Sequence, residues 1–431
     1  MMDRKSFLQS LSFLSGGAVV LNLLSPHTAL GARAGKPWPT IDPNSEEFWR
    51  FVREQFPLTH ERAYLNTGGL GASPYVVIDA VKAKMDELEK LSETGREDEI
   101  WRDIKTSAAK LLGCEPEELA FTRNTTEGVN IVANGLPLRR GDEIITTTQE
   151  HVGNALPWLA LHKRAGVSIK LFEPSTASSQ ENLDRIAALI SNRTRLISVP
   201  HVVTTTGLIL PVKDIAAMAR AKKLWSFVDG AQTAGMFPFD LHDIGCDAYA
   251  TSGHKWLMGP KETGLLYVRK DMLDTVDAKF VGAYSDGGFD FLKGTFAFNP
   301  SAQRYEYGTV NVPLRVGLGA AIEFIRKIGI GNIWKRDQAL SARLYAGLSD
   351  IAGVHVLSPD DHRMRSAMIT LMHERVPHRE LQEHLDGYKL RTRSVTEGGL
   401  AALRISTHIY NLPEEIDRVL EGVRTAGKLA R

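Results

Sequence analysis

The sequence predicts an α/β fold: a large domain on a mostly parallel seven-stranded sheet, followed by a smaller α+β C-terminal domain. Three observations carry this reading. Short apolar strand candidates alternate with amphipathic helical stretches through the middle of the chain. Unusual polar residues fall at the ends of those strands. Near Trp334 the pattern changes to a helix, a few short strands and a final helix from Pro413 onward.

The strand candidates, in order, are "ELAFTR", "DEIITTT", "SIKLFEP", "TRLISVPHV", "LWSFVDG", "AYATSG" and "GLLYV". Helical stretches between several of them, including residues 184–190 and 213–222, imply parallel pairing. Ahead of them "AYLNTGG" reads as a strand entering a glycine turn, and residues 73–92 as a helix opening on Ser73-Pro74. A long helix around residues 315–327 closes the large domain, which the pattern places at residues 63–330, with the small domain at 331–431. Residues 36–62 form a Pro-containing linker and a short amphipathic arm, "FWRFVREQFPL".

With 431 residues, 43% hydrophobic and 24% charged, the chain has ample material for a large buried core. The 52 Lys and Arg nearly cancel 51 Asp and Glu, and no long block of like charge directs the protein to nucleic acid. Cys114 and Cys246 are isolated, forming neither a disulfide framework nor a CxxC metal site, and no HExxH or close His/Cys ligand set points to a metal.

Residues 1–35 differ in kind. Arg4-Lys5 is followed by an apolar run to Leu24, a breaker at Pro26 and small residues around Ala32-Arg33-Ala34, the order of an export signal. Arg4-Lys5-Ser6-Phe7-Leu8 is similar to a twin-arginine motif with Lys as its second basic residue. The expectation is export to the periplasm. An ordinary secretory signal or an uncleaved anchor is the alternative, and a cytoplasmic location follows if the signal is not functional. No other segment approaches the roughly 20 apolar residues a bilayer span needs, so no further membrane insertion is expected.

In open α/β sheets ligands bind beyond the carboxyl ends of strands. In "FTRNTTEGVNIVANG" a strand passes through a polar turn into a helix, with Thr125 and Thr126 at its start. Free backbone N–H groups and two hydroxyls suit a phosphate, and plain N-capping suits them equally. "SFVDGAQ" ends an apolar strand on Asp229, with Gln232 close behind; a buried carboxylate there needs a cationic partner, unless it caps a helix. "YATSGHKWLMGP" sets Lys255 among Ser252, Gly253, His254 and Trp256, either as a turn lysine with its stem on a ring or as an amine reserved for chemistry. Pyridoxal phosphate would use all of these groups: a lysine amine for its aldehyde, a carboxylate for its ring nitrogen and donors for its phosphate. The GxGxxG fingerprint and the Walker loop are absent.

"FTRNTTEGVNIVANG", "EHVGNALPW", "SVPHVVTTTG", "VDGAQ", "SGHK" and "YEYGTVNVP", in this order, resemble the serial motifs of the class V aminotransferase family of fold type I pyridoxal-phosphate enzymes. That family includes cysteine desulfurases, selenocysteine lyases and isopenicillin N epimerases. The resemblance implies that Lys255 forms the Schiff base with the cofactor, Asp229 pairs with the pyridinium nitrogen and Gln232 bonds the ring hydroxyl. It implies that His151 stacks on the ring, that Thr125, Thr126, Ser252 and His254 hold the phosphate, and that Thr309 reaches the phosphate of a neighbouring subunit in a homodimer. It further implies that Arg404, in "LRISTHIYN", clamps the α-carboxylate of a small-molecule amino acid.

Two departures narrow the chemistry. Desulfurases carry a cysteine on a loop before the carboxylate-binding arginine, whereas "LRTRSVTEGGLAALRIS" has none. The position near the ring hydroxyl usually held by asparagine is Thr204. Arg391 and Arg393 either read a second, distal carboxylate or pair with acidic surface residues. The expectation is a homodimeric pyridoxal-phosphate enzyme acting on an amino acid, as an aminotransferase or an isopenicillin-N-epimerase-like enzyme. The alternatives are a C–S β-lyase or selenocysteine lyase-like enzyme, and a non-catalytic protein that binds the cofactor.

Overall fold

The computed structural model describes Trp38 and residues 40–429. The expected export signal lies outside the described residues. Seven strands form the main sheet: β2 (Leu119–Thr122), β3 (Glu143–Thr147), β4 (Ser168–Phe172), β5 (Thr194–Pro200), β6 (Trp225–Asp229), β7 (Ala248–Ser252) and β8 (Gly264–Val268). Their order is β2-β8-β7-β6-β5-β3-β4, and β8 alone runs antiparallel to its neighbours. All seven match strand candidates of the sequence. Strands β5 to β7 are buried almost throughout, as their near-continuous apolar runs require of a sheet covered on both faces.

Helices α4 (Thr125–Gly135), α5 (Val152–Ala165), α6 (Ser179–Leu189) and α7 (Val212–Ala221) follow β2, β3, β4 and β5. Asn124 caps α4 by accepting from the Glu127 N–H at 2.9 Å, and His151 caps α5 through Nδ1, 3.0 Å from the Gly153 nitrogen. Two helix N-termini, each with free N–H groups, therefore open at the same edge of the sheet.

The arm forms α1 (Glu46–Arg53), whose Phe48, Trp49 and Val52 enter the large core. The expected helix at 73–92 is α2 (Tyr75–Leu91), with Pro74 at its start. Ser73 does not cap it; its hydroxyl donates to the Gly259 carbonyl at 3.1 Å. After the short α8 (Leu241–Ile244), the long helix is α9 (Val312–Ile328), packed on α2 and on α3 (Asp98–Leu112). A hairpin of β9 (Asp286–Asp290) and β10 (Thr295–Phe298), not foreseen from the sequence, stands apart from the main sheet.

The C-terminal region carries a four-stranded antiparallel sheet, β11-β12-β15-β14, made of Val354–Val356, Met368–His373, Ala402–Ser406 and Arg393–Val395. Helices α10 (Ile330–Ser349), α11 (His378–Gly387) and α12 (Pro413–Leu429) cover it. The strand β1 (Ala63–Tyr64) does not open the large unit as its sequence position suggests. It pairs in parallel with β13 (Leu390–Arg391), and Ala63 and Leu65 bury beside Leu403 and Ile405. The physical reason is that the alternating apolar residues of "AYL", Ala63 and Leu65, are fully buried in the C-terminal hydrophobic cluster. The chain then turns through Asn66–Gly71 back to the main sheet. No helix among the described residues is long and apolar enough to cross a membrane.

Candidate functional site

A cavity of about 340 Å³ opens at the carboxyl edge of β6 and β7. Thr125, Thr126, His151, Asp229, Ser252, His254, Lys255 and Arg393 line it, eight residues singled out in the sequence. Gly68, Gly69, Asn124, Gly153 and Ala231 complete the wall. These five were missed as site residues. Gly68 and Gly69 belong to the glycine turn seen in "AYLNTGG", and that turn was the available signal.

Lys255 follows β7 in a tight turn, in which the Gly259 N–H donates to the Gly253 carbonyl at 2.8 Å and the Met258 N–H to the Lys255 carbonyl at 3.1 Å. Trp256, fully buried, anchors the turn by donating its indole N–H to Gln232 Oε1 at 2.8 Å. His408, just after β15, ties the same turn to Asp337, lying 3.1 Å from the Trp256 carbonyl and 3.0 Å from Asp337 Oδ2. Burial pushes the Lys255 amine down to about 8; Asp229 opposes this, while Arg404 and Arg393 reinforce it. The amine is thus partly neutral near physiological pH, the state a nucleophile needs.

Asp229 ends β6, and burial raises its carboxyl; the Ala231 N–H, donating to Oδ1 at 2.8 Å, and the nearby Lys255 act against that. A protonated ring nitrogen beside Asp229 would supply the cation that its burial calls for. His151 is pushed down to about 4 by burial and by Lys255, Arg393 and Arg404, so its ring is neutral. Because its Nδ1 accepts from the Gly153 N–H, the ring proton sits on Nε2.

At the other end of the cavity the Thr125 and Ser252 hydroxyls lie 2.7 Å apart, both buried. His254 Nδ1 faces the Thr263 carbonyl at 3.3 Å, and this leaves Nε2 for another partner. Gly153 is needed where α5 meets α4: a Cβ there would sit 2.5 Å from Thr126 Oγ1. Hydroxyls, an imidazole and two helix N-termini make an anion cradle.

Four expected residues do not line this cavity. Gln232 donates its amide N–H to the Gly68 carbonyl at 2.8 Å and accepts from the Trp256 indole through Oε1, so it braces two walls rather than facing the interior. Thr204 is turned away, accepting from Arg404 at 2.7 Å through its hydroxyl. Arg404 is fully buried behind Gly68, where an added Cβ would come within 2.9 Å of its terminal nitrogen. It also donates to the Thr204 carbonyl at 2.8 Å and reaches Asn66 Oδ1 at 3.4 Å, while its Nε has no partner. With no carboxylate bonded to it, burial and Arg393 lower Arg404 to about 9. Thr309 is exposed and lines a separate cavity of about 190 Å³ with Arg123 and Glu127. Among the described residues no cluster of three or more His, Cys, Asp or Glu could hold a metal ion.

A lysine turn, a carboxylate at the adjacent strand end and an anion cradle on one edge of this sheet define a fold type I pyridoxal-phosphate enzyme. The chain belongs to the class V aminotransferase family, whose model matches residues 79–419. Its cofactor is pyridoxal 5′-phosphate. A cysteine desulfurase of Yersinia pestis (strain Pestoides F) is 31% identical over 405 residues, covering 88% of this chain and 98% of its own. The cystine C–S lyase C-DES, solved in complex with its reaction product cysteine persulfide, is 26% identical, with a TM-score of 0.78 over 87% of this chain and 99% of its own. An apo cysteine desulfurase from Thermococcus onnurineus NA1 is also 26% identical, with a TM-score of 0.78 over 88% and 98%.

Proposed function

We propose that this protein is a C–S lyase that removes the sulfur substituent of a cysteine-derived amino acid by β-elimination, without a protein thiol as acceptor. The names of its relatives support C–S cleavage over the aminotransferase or epimerase expectation. The observation that carries the rest is the loop between β14 and β15, residues 396–401, which has no cysteine. The two thiols elsewhere are unsuited to the task. Cys246 is fully buried just before β7, Cys114 is half-buried after α3, and burial raises both well above the usual thiol range.

Bound, pyridoxal phosphate supplies an electrophilic carbon for the substrate amine and an electron sink for the carbanion at Cα. Lys255 would anchor it, Asp229 would face its ring nitrogen, and Thr125, Thr126, Ser252 and His254 would hold its phosphate. The Lys255 amine would be placed to take the proton from the substrate Cα, and its lowered proton affinity suits a base near neutrality. The Cβ–S bond then breaks, and its electron pair leaves with sulfur as a thiolate or persulfide. His151, neutral and carrying its proton on Nε2, covers the cavity without adding charge. Arg404, directly behind Gly68 of the cavity wall, would hold the α-carboxylate, as the family resemblance implies. The net products of such an elimination, with one water consumed, are the sulfur leaving group, a 2-oxo acid and ammonia.

The enzyme acts as a homodimer in this reading: the family resemblance assigns Thr309 to a neighbouring subunit's phosphate, and its exposure outside this cavity is compatible with that role. Export by the amino-terminal segment is part of the same proposal, tested by sequencing the mature N-terminus from a periplasmic fraction. The main test incubates holoenzyme with cystine, S-alkyl cysteines and cysteine, and follows pyruvate, ammonia and the released thiol or persulfide. The Cys114→Ser/Cys246→Ser double variant keeps full turnover. Turnover that requires an added 2-oxo acid, or that yields alanine from cysteine, would defeat the lyase reading.

A further inference from the structure

A chain of buried hydrogen bonds runs behind Asp229, and its direction is fixed by what each group can give. It begins at His201, after β5, whose Nδ1 lies 3.0 Å from the Tyr249 hydroxyl. That hydroxyl lies 2.5 Å from Thr233 Oγ1, and Thr233 donates to the Gly230 carbonyl at 2.7 Å. A carbonyl only accepts, so the Thr233 proton is committed to Gly230, and Thr233 in turn accepts from Tyr249. Tyr249 then has no hydrogen left for His201, which places the imidazole proton on Nδ1. Thr251 of β7 sends a second hydroxyl to the Gly230 carbonyl, at 2.9 Å. All four side chains are buried. Gly230 makes room for them, because a Cβ there would lie 1.9 Å from Tyr249 Cε1.

The chain does not stop at the carbonyl. The Gly230 C=O and the Ala231 N–H belong to one peptide unit, and that N–H donates to Asp229 Oδ1 at 2.8 Å. Donors on an amide oxygen draw electron density through the conjugated bond and make the N–H at its other end a stronger donor. Resting on the reading that Asp229 faces the cofactor's ring nitrogen, we propose that Thr233, Thr251, Tyr249 and His201 are positioning residues for Asp229. They act through the Gly230–Ala231 peptide to strengthen the hydrogen bond held on its carboxylate. Burial opposes the charge of Asp229, and the Ala231 N–H and Lys255 support it. Glu150, buried after β3, is close enough for Asp229 to raise it, so the two carboxyls repel. His151 and His201 are pushed down to about 4 and about 3 by burial and are neutral, so the chain supplies polarisation without charge.

Two variants separate this relay from a merely structural cluster. Thr251→Val removes a donor directly on the Gly230 carbonyl yet strands no buried group, since Thr233 still serves that oxygen. Tyr249→Phe leaves the His201 N–H unpaired but acts on Gly230 only through Thr233. Stability should therefore fall more in Tyr249→Phe, while Asp229 should be disturbed more in Thr251→Val. In holoenzyme carrying isotope-labelled alanine, the Ala231 amide proton resonance is expected to move upfield in Thr251→Val. In the full-length protein freed of cofactor and carrying labelled aspartate, the Asp229 carboxyl is expected to ionise at a higher pH than in wild type. With cystine as substrate, kcat falls by about two- to fivefold with KM little changed, the scale of weakening one charge-assisted hydrogen bond. Resonances and titration unmoved in Thr251→Val, or moved more in Tyr249→Phe, overturn the proposal, and these readouts decide it whether or not cystine is turned over. A shifted Asp229 with unchanged kcat leaves the relay standing and overturns the pairing of Asp229 with the ring nitrogen.

Discussion

Gly71 touches the Lys255 turn so closely that a Cβ on it would lie 1.8 Å from the Lys255 carbonyl oxygen. The Gly71 N–H donates to the His254 carbonyl at 2.8 Å, which locks the two segments together. The loop that leaves β1 thus helps fix the position of the lysine, and any side chain at residue 71 must push the turn away.

Gly71→Ala is expected to lower stability by about 1–3 kcal/mol, the usual cost of overpacking, and to loosen cofactor capture. Thermal unfolding of apo and holo protein, with the yield of the borohydride-reducible lysine adduct, measures both. An unchanged adduct yield would mean that the turn tolerates the displacement.

Lys255 takes up pyridoxal phosphate only as a free amine. With its proton affinity lowered to about 8, the uptake rate of cofactor-free protein should rise as pH increases through 8 and level off above it. The linkage has a definite sign. The folded amine loses its proton near 8 and an unfolded one near its ordinary 10.5, so between those values the unfolded chain holds more protons. Stability of the cofactor-free protein therefore rises across that window, and below 8 this contribution is flat. Stopped-flow uptake and denaturant titration across pH 6 to 10 check the two effects; an uptake midpoint near 10.5 would contradict them.

Asp229→Asn keeps the shape of the strand end and removes its charge. Cofactor attachment at Lys255 should persist, while turnover falls by about 10²–10³-fold, the scale of losing one preorganised electrostatic partner. Single-turnover kinetics separate the two quantities. A variant as active as wild type would show that the ring nitrogen needs no carboxylate.

Trp256→Phe deletes the indole N–H and strands the buried Gln232 Oε1. The expected cost is about 1–3 kcal/mol in stability, the penalty of an unsatisfied buried acceptor. Chemical denaturation of the holo form measures it, and an unchanged stability would show that Gln232 Oε1 finds another donor.

Most of the scaffold could be read from the sequence because its signals are local. The seven strands of the main sheet announce themselves as apolar runs bounded by turns, and Lys255, Asp229 and the Thr125–Thr126 turn fall at strand ends where any open α/β sheet gathers ligands. What escaped was set by partners distant in the chain. β1 pairs with β13, more than three hundred residues away, and nothing in "AYLNTGG" names that partner. Gln232 and Thr204 carry side chains suited to a cofactor, yet Trp256, Gly68 and Arg404 claim their polar atoms first.

The sequence by itself determined the fold class and the chemical inventory, because periodicity, turn residues and side-chain type are properties of neighbouring positions. Only the tertiary structure decided which of those groups face one cavity, that Arg404 stands behind a glycine wall, and that Arg393 is its partner across the strands. Those relations depend on strand register and on competition among buried hydrogen bonds, both of which are settled only when segments far apart in the chain pack together.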